Sequence, residues 1–230
     1  MPGGEKALIM DPIVPLAFAA AVTEKIRLGT GILILPQRHP FYVAKEMATL
    51  DQLSKGRAIL GIGVGWLHEE FAALGIDFET RASRTREAVA AIRSLWKGEP
   101  EAFDGKFFQW GLVESNPKPV QPGGVPIVVG GHSDISAKRA ARYGDGFFPG
   151  RGTPELLSHL IDVLRAECER IGRDPAEIEI TLPLPGYEID AIRRYGDLGA
   201  SRLITGPPGF DQVTVETGLA KFRENVLDKL

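Results

Sequence analysis

The residues able to support chemistry gather at glycine-rich breaks in apolar runs. Gly61-Ile62-Gly63-Val64-Gly65-Trp66 ends one run, Val129-Gly130-Gly131-His132-Ser133 ends another, and Gly29-Thr30-Gly31 interrupts a third. A strand end without side chains lets a flat ligand approach the backbone, and Trp66 would add an aromatic wall; the competing reading is glycine that relieves crowding in the core. The first segment imitates a dinucleotide fingerprint, but Trp66 stands where its third glycine belongs. In the second, amides at a helix start beside His132 and Ser133 make the best phosphate candidate in the chain, set against plain helix capping by Ser133 or Asp134.

Other candidates have simpler explanations. Glu69 and Glu70 follow Trp66 and are placed for acid–base work, but a first helical turn attracts carboxylates anyway. His39, before Pro40, is a catalytic candidate that also suits a helix start. Arg151 lies beyond a short strand and could meet a phosphate, whereas Asp145 opens that strand and reads as structural. The single cysteine, Cys168, shares a helical face with Leu157, Leu160, Ile161, Leu164 and Ile171, so it reads as core. Four histidines and one cysteine show no metal-ligand spacing, and no nucleophilic triad can be assembled from sequence order. So little chemistry of its own points to a cofactor that carries the reaction.

These breaks must be held by alternating strands and helices. Asp11-Pro12 opens an alanine-rich helix to Thr23, expected to be buried, and Ile26–Leu35 reads as one continuous parallel strand. Pro40–Ser54 is a helix with Val43, Met47, Leu50 and Leu53 on one face and Gly56 as its left-handed cap. A strand at Ala58–Ile62 and a helix near Thr80–Trp96 follow. The Asp104-Gly105 pair between Phe103 and Phe107 predicts a two-residue hairpin turn, an excursion spanning 101–113. Four more strands, at Ile127–Val129, Gly146–Phe148, Glu177–Leu182 and Arg202–Thr205, alternate with helices at Ser136–Arg142, Pro154–Ile171, Ile189–Tyr195 and one through Leu219, Phe222 and Val226. Short connections between such units mean parallel βαβ crossovers, hence an α/β fold in one domain, 1–230. Six units fit either a barrel missing a part or an open doubly wound sheet.

The chain has 230 residues, is 43% hydrophobic and 25% charged, and carries a net charge of −3 with both signs interspersed. That excludes a basic nucleic-acid stripe, and Ile13–Val22, broken by Pro15, is too short to span a membrane. Met1–Met10 lacks the pattern of a secretory leader, so a cytoplasmic location is expected.

In order and spacing, the segment from Asp11 to Thr23, IRLGTGILILP, RHPFYVAKEMATLDQLSKGRAILGIGVGW, PIVVGGHSD and ARYGDGFFP together resemble the luciferase-like monooxygenases, closely over Asp11–Gly150. Within that family the chain looks most like the branch that uses coenzyme F(420) in place of FMN. The resemblance implies a TIM (β/α)8-type barrel lacking its first two strands and first helix, a small-molecule substrate and a homodimer. It further implies a non-proline cis peptide at Gly31–Ile32 behind the cofactor ring, Val64, Gly65 and Trp66 lining the cleft, and Gly130, Gly131, His132 and Ser133 at the phosphate. Family members commonly place a catalytic histidine or acid on the second strand, before Asp11. A cofactor-binding relative without turnover and a phosphosugar-handling barrel are the other readings.

Overall fold

The computed structural model describes residues 9–184, 186 and 188–229, so the leader reading of Met1–Met10 lies largely outside the described residues. The chain divides into two compact units, Met1–Val128 and Val129–Leu230.

The first unit opens with α1, Ile13–Val22, where the Asp11 carboxylate accepts the Ile13 amide at 3.0 Å. This helix is not buried as expected: only Ala20 is, while Val14, Phe18 and Val22, four residues apart on one face, are 59%, 77% and 82% exposed. An apolar composition shows that a helix seeks cover, not that its own unit supplies it. The expected continuous strand is also interrupted. It forms as β1, Leu28–Gly29, and β2, Leu33–Ile34; between them the Thr30 hydroxyl donates to the Gly61 carbonyl at 2.6 Å, and the Gly31–Ile32 peptide is cis. Both pieces pair in parallel with β3, Ala58–Gly63, which is buried throughout.

Between them α2, Pro40–Ser54, has the expected bounds and buries Val43, Met47 and Leu50, but Leu53 lies off the core face at 66% exposure. The chain leaves α2 through two left-handed residues, Lys55 at φ 57° and Gly56 at φ 82°. Arg57, next in sequence, is buried and donates to the carbonyls of Ala20, Thr23, Ile26 and Ser54, which satisfies the ends of α1 and α2 together. The short helix α3, His68–Ala73, precedes α4, Arg81–Trp96, whose Val89, Ile92 and Trp96 are buried as expected. The buried Asp51 carboxylate accepts the amides of Val120 and Gln121 at 2.8 and 3.0 Å, which fastens the proline-rich return to α2.

The excursion is the antiparallel hairpin β4, Glu101–Asp104, and β5, Gln109–Val113. Its turn differs from the expected two-residue form. Asp104 pairs with Gln109, leaving a four-residue loop over 105–108 closed by the Gly105 amide on the Phe108 carbonyl at 3.0 Å. Glu87 of α4 is the reason. One of its oxygens accepts the amides of Phe107 and Phe108 at 2.7 and 2.8 Å, and the other accepts that of Lys106 at 3.0 Å. A two-residue turn could not offer three amides to one carboxylate.

β6, Ile127–Gly130, leads into the second unit, which continues as α5, Asp134–Tyr143, and β7, Gly146–Phe148. Then come α6, Pro154–Ile171, β8, Glu179–Pro183, and α7, Ile189–Asp197. β9, Arg202–Ile204, and α8, Gln212–Asn225, complete it. Thr153 caps α6 as expected, and Cys168 is fully buried with Leu157, Leu160, Ile161 and Leu164; burial pushes its thiol pKa up, away from nucleophilic use. β8 starts two residues later than expected because Pro175–Glu177 form a 3-10 turn capped by Asp174. Of the face expected for the last helix, Val226 is buried but Leu219 is 55% exposed. The carboxylate of Glu167, almost fully buried on α6, takes Arg142 of α5 at 2.6 Å and Arg170 at 2.7 Å.

In each unit the strands follow one another in chain order and pair in parallel, β1 and β2 with β3, then β7 with β8 and β8 with β9. Among the described residues neither unit shows the order reversal of a doubly wound sheet. The fold is therefore α/β of the (β/α)-barrel type.

Candidate functional site

The residues of the first unit converge on the C-terminal end of β3. There the glycines of the GIGVG segment answer the crowding reading directly. A Cβ on Gly61 would overlap the Thr30 carbonyl oxygen, and one on Gly63 would overlap the Ile32 side chain. On Gly65, at φ 80°, it would stand 2.8 Å from both Ile34 and the Phe71 ring. Gly61, Gly63 and Gly65 thus lack side chains so that the Thr30–Ile34 segment can lie against them.

The opposite holds for Gly31. Nothing lies within 4 Å of where its Cβ would be, and the residue is exposed. The Ile32 side chain lies against Gly63, and Gly31 itself is open on its Cβ side. The cis geometry expected for that bond is present. Trp66, just beyond Gly65, is 67% exposed. Glu69 and Glu70 occupy the first turn of α3, exposed, and Glu70 accepts from the Gln37 side chain at 3.0 Å, linking α3 to the loop after β2.

His39 serves as the N-cap of α2, its Nδ1 accepting the Phe41 amide at 3.3 Å, so in the neutral ring the proton sits on Nε2. Partial burial, then the nearby Arg84 guanidinium, hold its pKa below the ordinary histidine value. Its ring packs edge-on to Phe108 at 5.4 Å, and Arg84 lies 4.6 Å over the same phenyl ring while donating to the Pro36 carbonyl at 3.0 Å. This joins the hairpin tip to the exit of β2, a link the sequence did not announce.

In the second unit, Gly130 ends β6, and Gly131, His132 and Ser133 lead into α5. Ser133 caps α5 reciprocally with Ser136, and Gly131, at φ 139°, is the residue over which Ser136 packs; a Cβ there would meet the Ser136 Cβ at 2.7 Å. Part of the double glycine therefore has a packing cause. The first helical amides, of Asp134 and Ile135, are among the donors that a helix leaves without an internal partner. Arg151, from the loop after β7, brings Nη2 to 2.7 Å from His132 Nε2, so two residues singled out separately in the sequence meet here. Burial, then Arg151, hold the His132 pKa below its ordinary value. Asp134 pairs with His159 of α6 at 2.9 Å. Asp145 gives its carbonyl to the Glu179 amide at 3.0 Å, which is structural work at the start of β7.

Among the described residues no group of three or more His, Cys, Asp or Glu could hold a metal ion, and no helix is long and apolar enough to cross a membrane. Parallel strands in chain order, with an open Gly31 and an exposed tryptophan at strand ends, define a barrel-type α/β protein. Residues 2–187 match the family model of the luciferase-like monooxygenases, and the chain belongs to that family.

It is 34% identical to an uncharacterized protein of Mycobacterium tuberculosis, covering 96% of this chain and 78% of that one. It is 37% identical to an F(420)-dependent glucose-6-phosphate dehydrogenase of Kineococcus radiotolerans, over 75% of this chain; the match spans about half, 52%, of that enzyme's length. Among solved structures, the coenzyme F(420)-dependent tetrahydromethanopterin reductase of Methanopyrus kandleri aligns with a TM-score of 0.79 at 18% identity, covering 96% of this chain and 88% of that one, a likeness of fold.

Proposed function

We propose that the chain is an oxidoreductase that transfers hydride between coenzyme F(420), or alternatively FMN, and a small organic substrate. The carrying observation is the open Gly31: a residue with free space at its Cβ position, on a segment that packs closely against the β3 glycines from behind. In this reading Gly31, Ile32, Val64, Gly65 and Trp66 contact the ring, while Gly130, Gly131, His132 and Ser133 take the phosphate. The relatives that depend on F(420) support that cofactor ahead of FMN. When bound, a deazaflavin supplies the hydride acceptor or donor. The chain's own groups present backbone at Gly31, an aromatic edge at Trp66 and amide donors at the start of α5. Trp66, Glu69 and His39 remain the catalytic candidates; His39 is the weakest, since capping occupies its Nδ1.

A cytoplasmic homodimer belongs to the same proposal. The exposed face of α1, with Val14, Phe18 and Val22, supports the assembly, and sedimentation of the purified protein tests it.

Fluorescence titration with F(420) and with FMN tests the cofactor. Saturable F(420) binding that weakens in Trp66→Ala is expected. Binding of neither sinks the proposal, and tighter FMN binding reassigns the chain to flavin chemistry.

A further inference from the structure

We propose that Arg151 is a positioning residue for His132: its guanidinium fixes the imidazole as the neutral Nδ1–H tautomer and makes occupation of this loop by an anionic group proton-linked. The inference rests on the reading of this loop as the phosphate side of the cofactor site. Arginine has five donors and no acceptor, so an Nη2–Nε2 separation of 2.7 Å requires a lone pair on Nε2. The single ring proton of neutral His132 is then on Nδ1. A second proton, taken from solvent by Nε2, removes the acceptor and sets two cations against each other. Both are then left seeking an anion, and the loop that carries His132 ends at the positive end of α5.

The other charged and titratable groups nearby are already committed. On α5, Asp134 is turned to His159, which comes from α6 and lies 2.9 Å away. Burial, then Arg151, hold the His132 pKa down, with no carboxylate acting against them to raise it. An anion that binds between protonated His132 and Arg151 must therefore raise the histidine's proton affinity, and by reciprocity the proton must raise the affinity for the anion.

The experiment uses the full chain and inorganic sulfate, which stays dianionic from pH 5 to 8. Long-range 1H–15N correlation of the imidazoles should show the Nδ1–H tautomer for His132 in the wild type. Arg151→Lys should keep it, as a donor-conserving replacement, and Arg151→Ala should lose it, with the His132 pKa moving up toward its ordinary value. Sulfate should bind about tenfold more tightly at pH 5.5 than at pH 8, the equivalent of one pKa unit, and this dependence should vanish in Arg151→Ala. A wild-type Nε2–H tautomer, or sulfate affinity equal at the two pH values, overturns the proposal. None of these readouts requires the cofactor. Failure to bind F(420) or FMN with the pair's signatures intact condemns only the cofactor reading, and the converse result condemns only the pair.

Discussion

Replacing Glu87 by alanine should free the hairpin tip while leaving the rest of α4 in place. Its carboxylate accepts three backbone amides, and removal strands them. The Lys106 amide is exposed and water can replace its partner, so the cost comes mainly from the part-buried amides of Phe107 and Phe108. At about 1–1.5 kcal/mol for each charge-assisted bond after water's partial compensation, the tip loses about 2–3 kcal/mol. In native-state hydrogen exchange that is roughly a 30- to 150-fold acceleration at the two amides. Exchange is the right assay because it reads this local opening whether or not the two units unfold together. Gly105 provides an internal control. Its added Cβ would overlap a Glu87 carboxylate oxygen, so Gly105→Ala should damage the wild type more than it damages Glu87→Ala. Acceleration below about threefold, or an equal effect of Gly105→Ala in both backgrounds, would refute the clasp.

Gly61→Ala should be among the most damaging single-methyl additions in the first unit, because its Cβ meets the Thr30 backbone and not a flexible side-chain tip. A loss of about 3 kcal/mol or more, or failure to fold, is expected in urea denaturation, whereas Gly31→Ala should be close to neutral for stability and weaken cofactor binding. Acid should unfasten α5 from α6 late. Arg170 and then Arg142 hold the Glu167 carboxyl down at about 2 from an ordinary 4.5, so its stabilising contribution is complete above 4.5 and is lost as pH falls toward 2. The acid limb of a pH–stability profile should therefore flatten over that interval in Glu167→Gln, and an unchanged limb would disprove the assignment.

Much of this architecture was legible in the sequence because local rules governed it. The bounds of α2 and α6 followed from Pro40, Pro154 and Thr153, and the three glycine-rich breaks fell at strand ends. Family resemblance, not spacing, pointed to the Gly31–Ile32 bond. What escaped was set by tertiary partners. Nothing near Asp104 reveals that Glu87 will claim three amides and widen the turn. Nothing in Ile26–Leu35 reveals that the Thr30 hydroxyl will claim the Gly61 carbonyl while its amide stays on Ile59. The pairing of Arg151 with His132 is likewise a product of two loops from successive βα units. Of the glycines thought to face a ligand, Gly61, Gly63, Gly65 and Gly131 prove to make room for the protein itself, whereas Gly31 has open space at its Cβ position.

The glycine-bearing strand has a consequence for anyone who would retailor the protein. Alternate positions along β3 have no spare volume, since Thr30 and Ile32 already occupy the space that a new side chain would need. Libraries aimed at the end of this strand will waste their members on Gly61, Gly63 and Gly65. In the proposed cofactor site the useful diversity then falls to Val64 and Trp66, the latter 67% exposed.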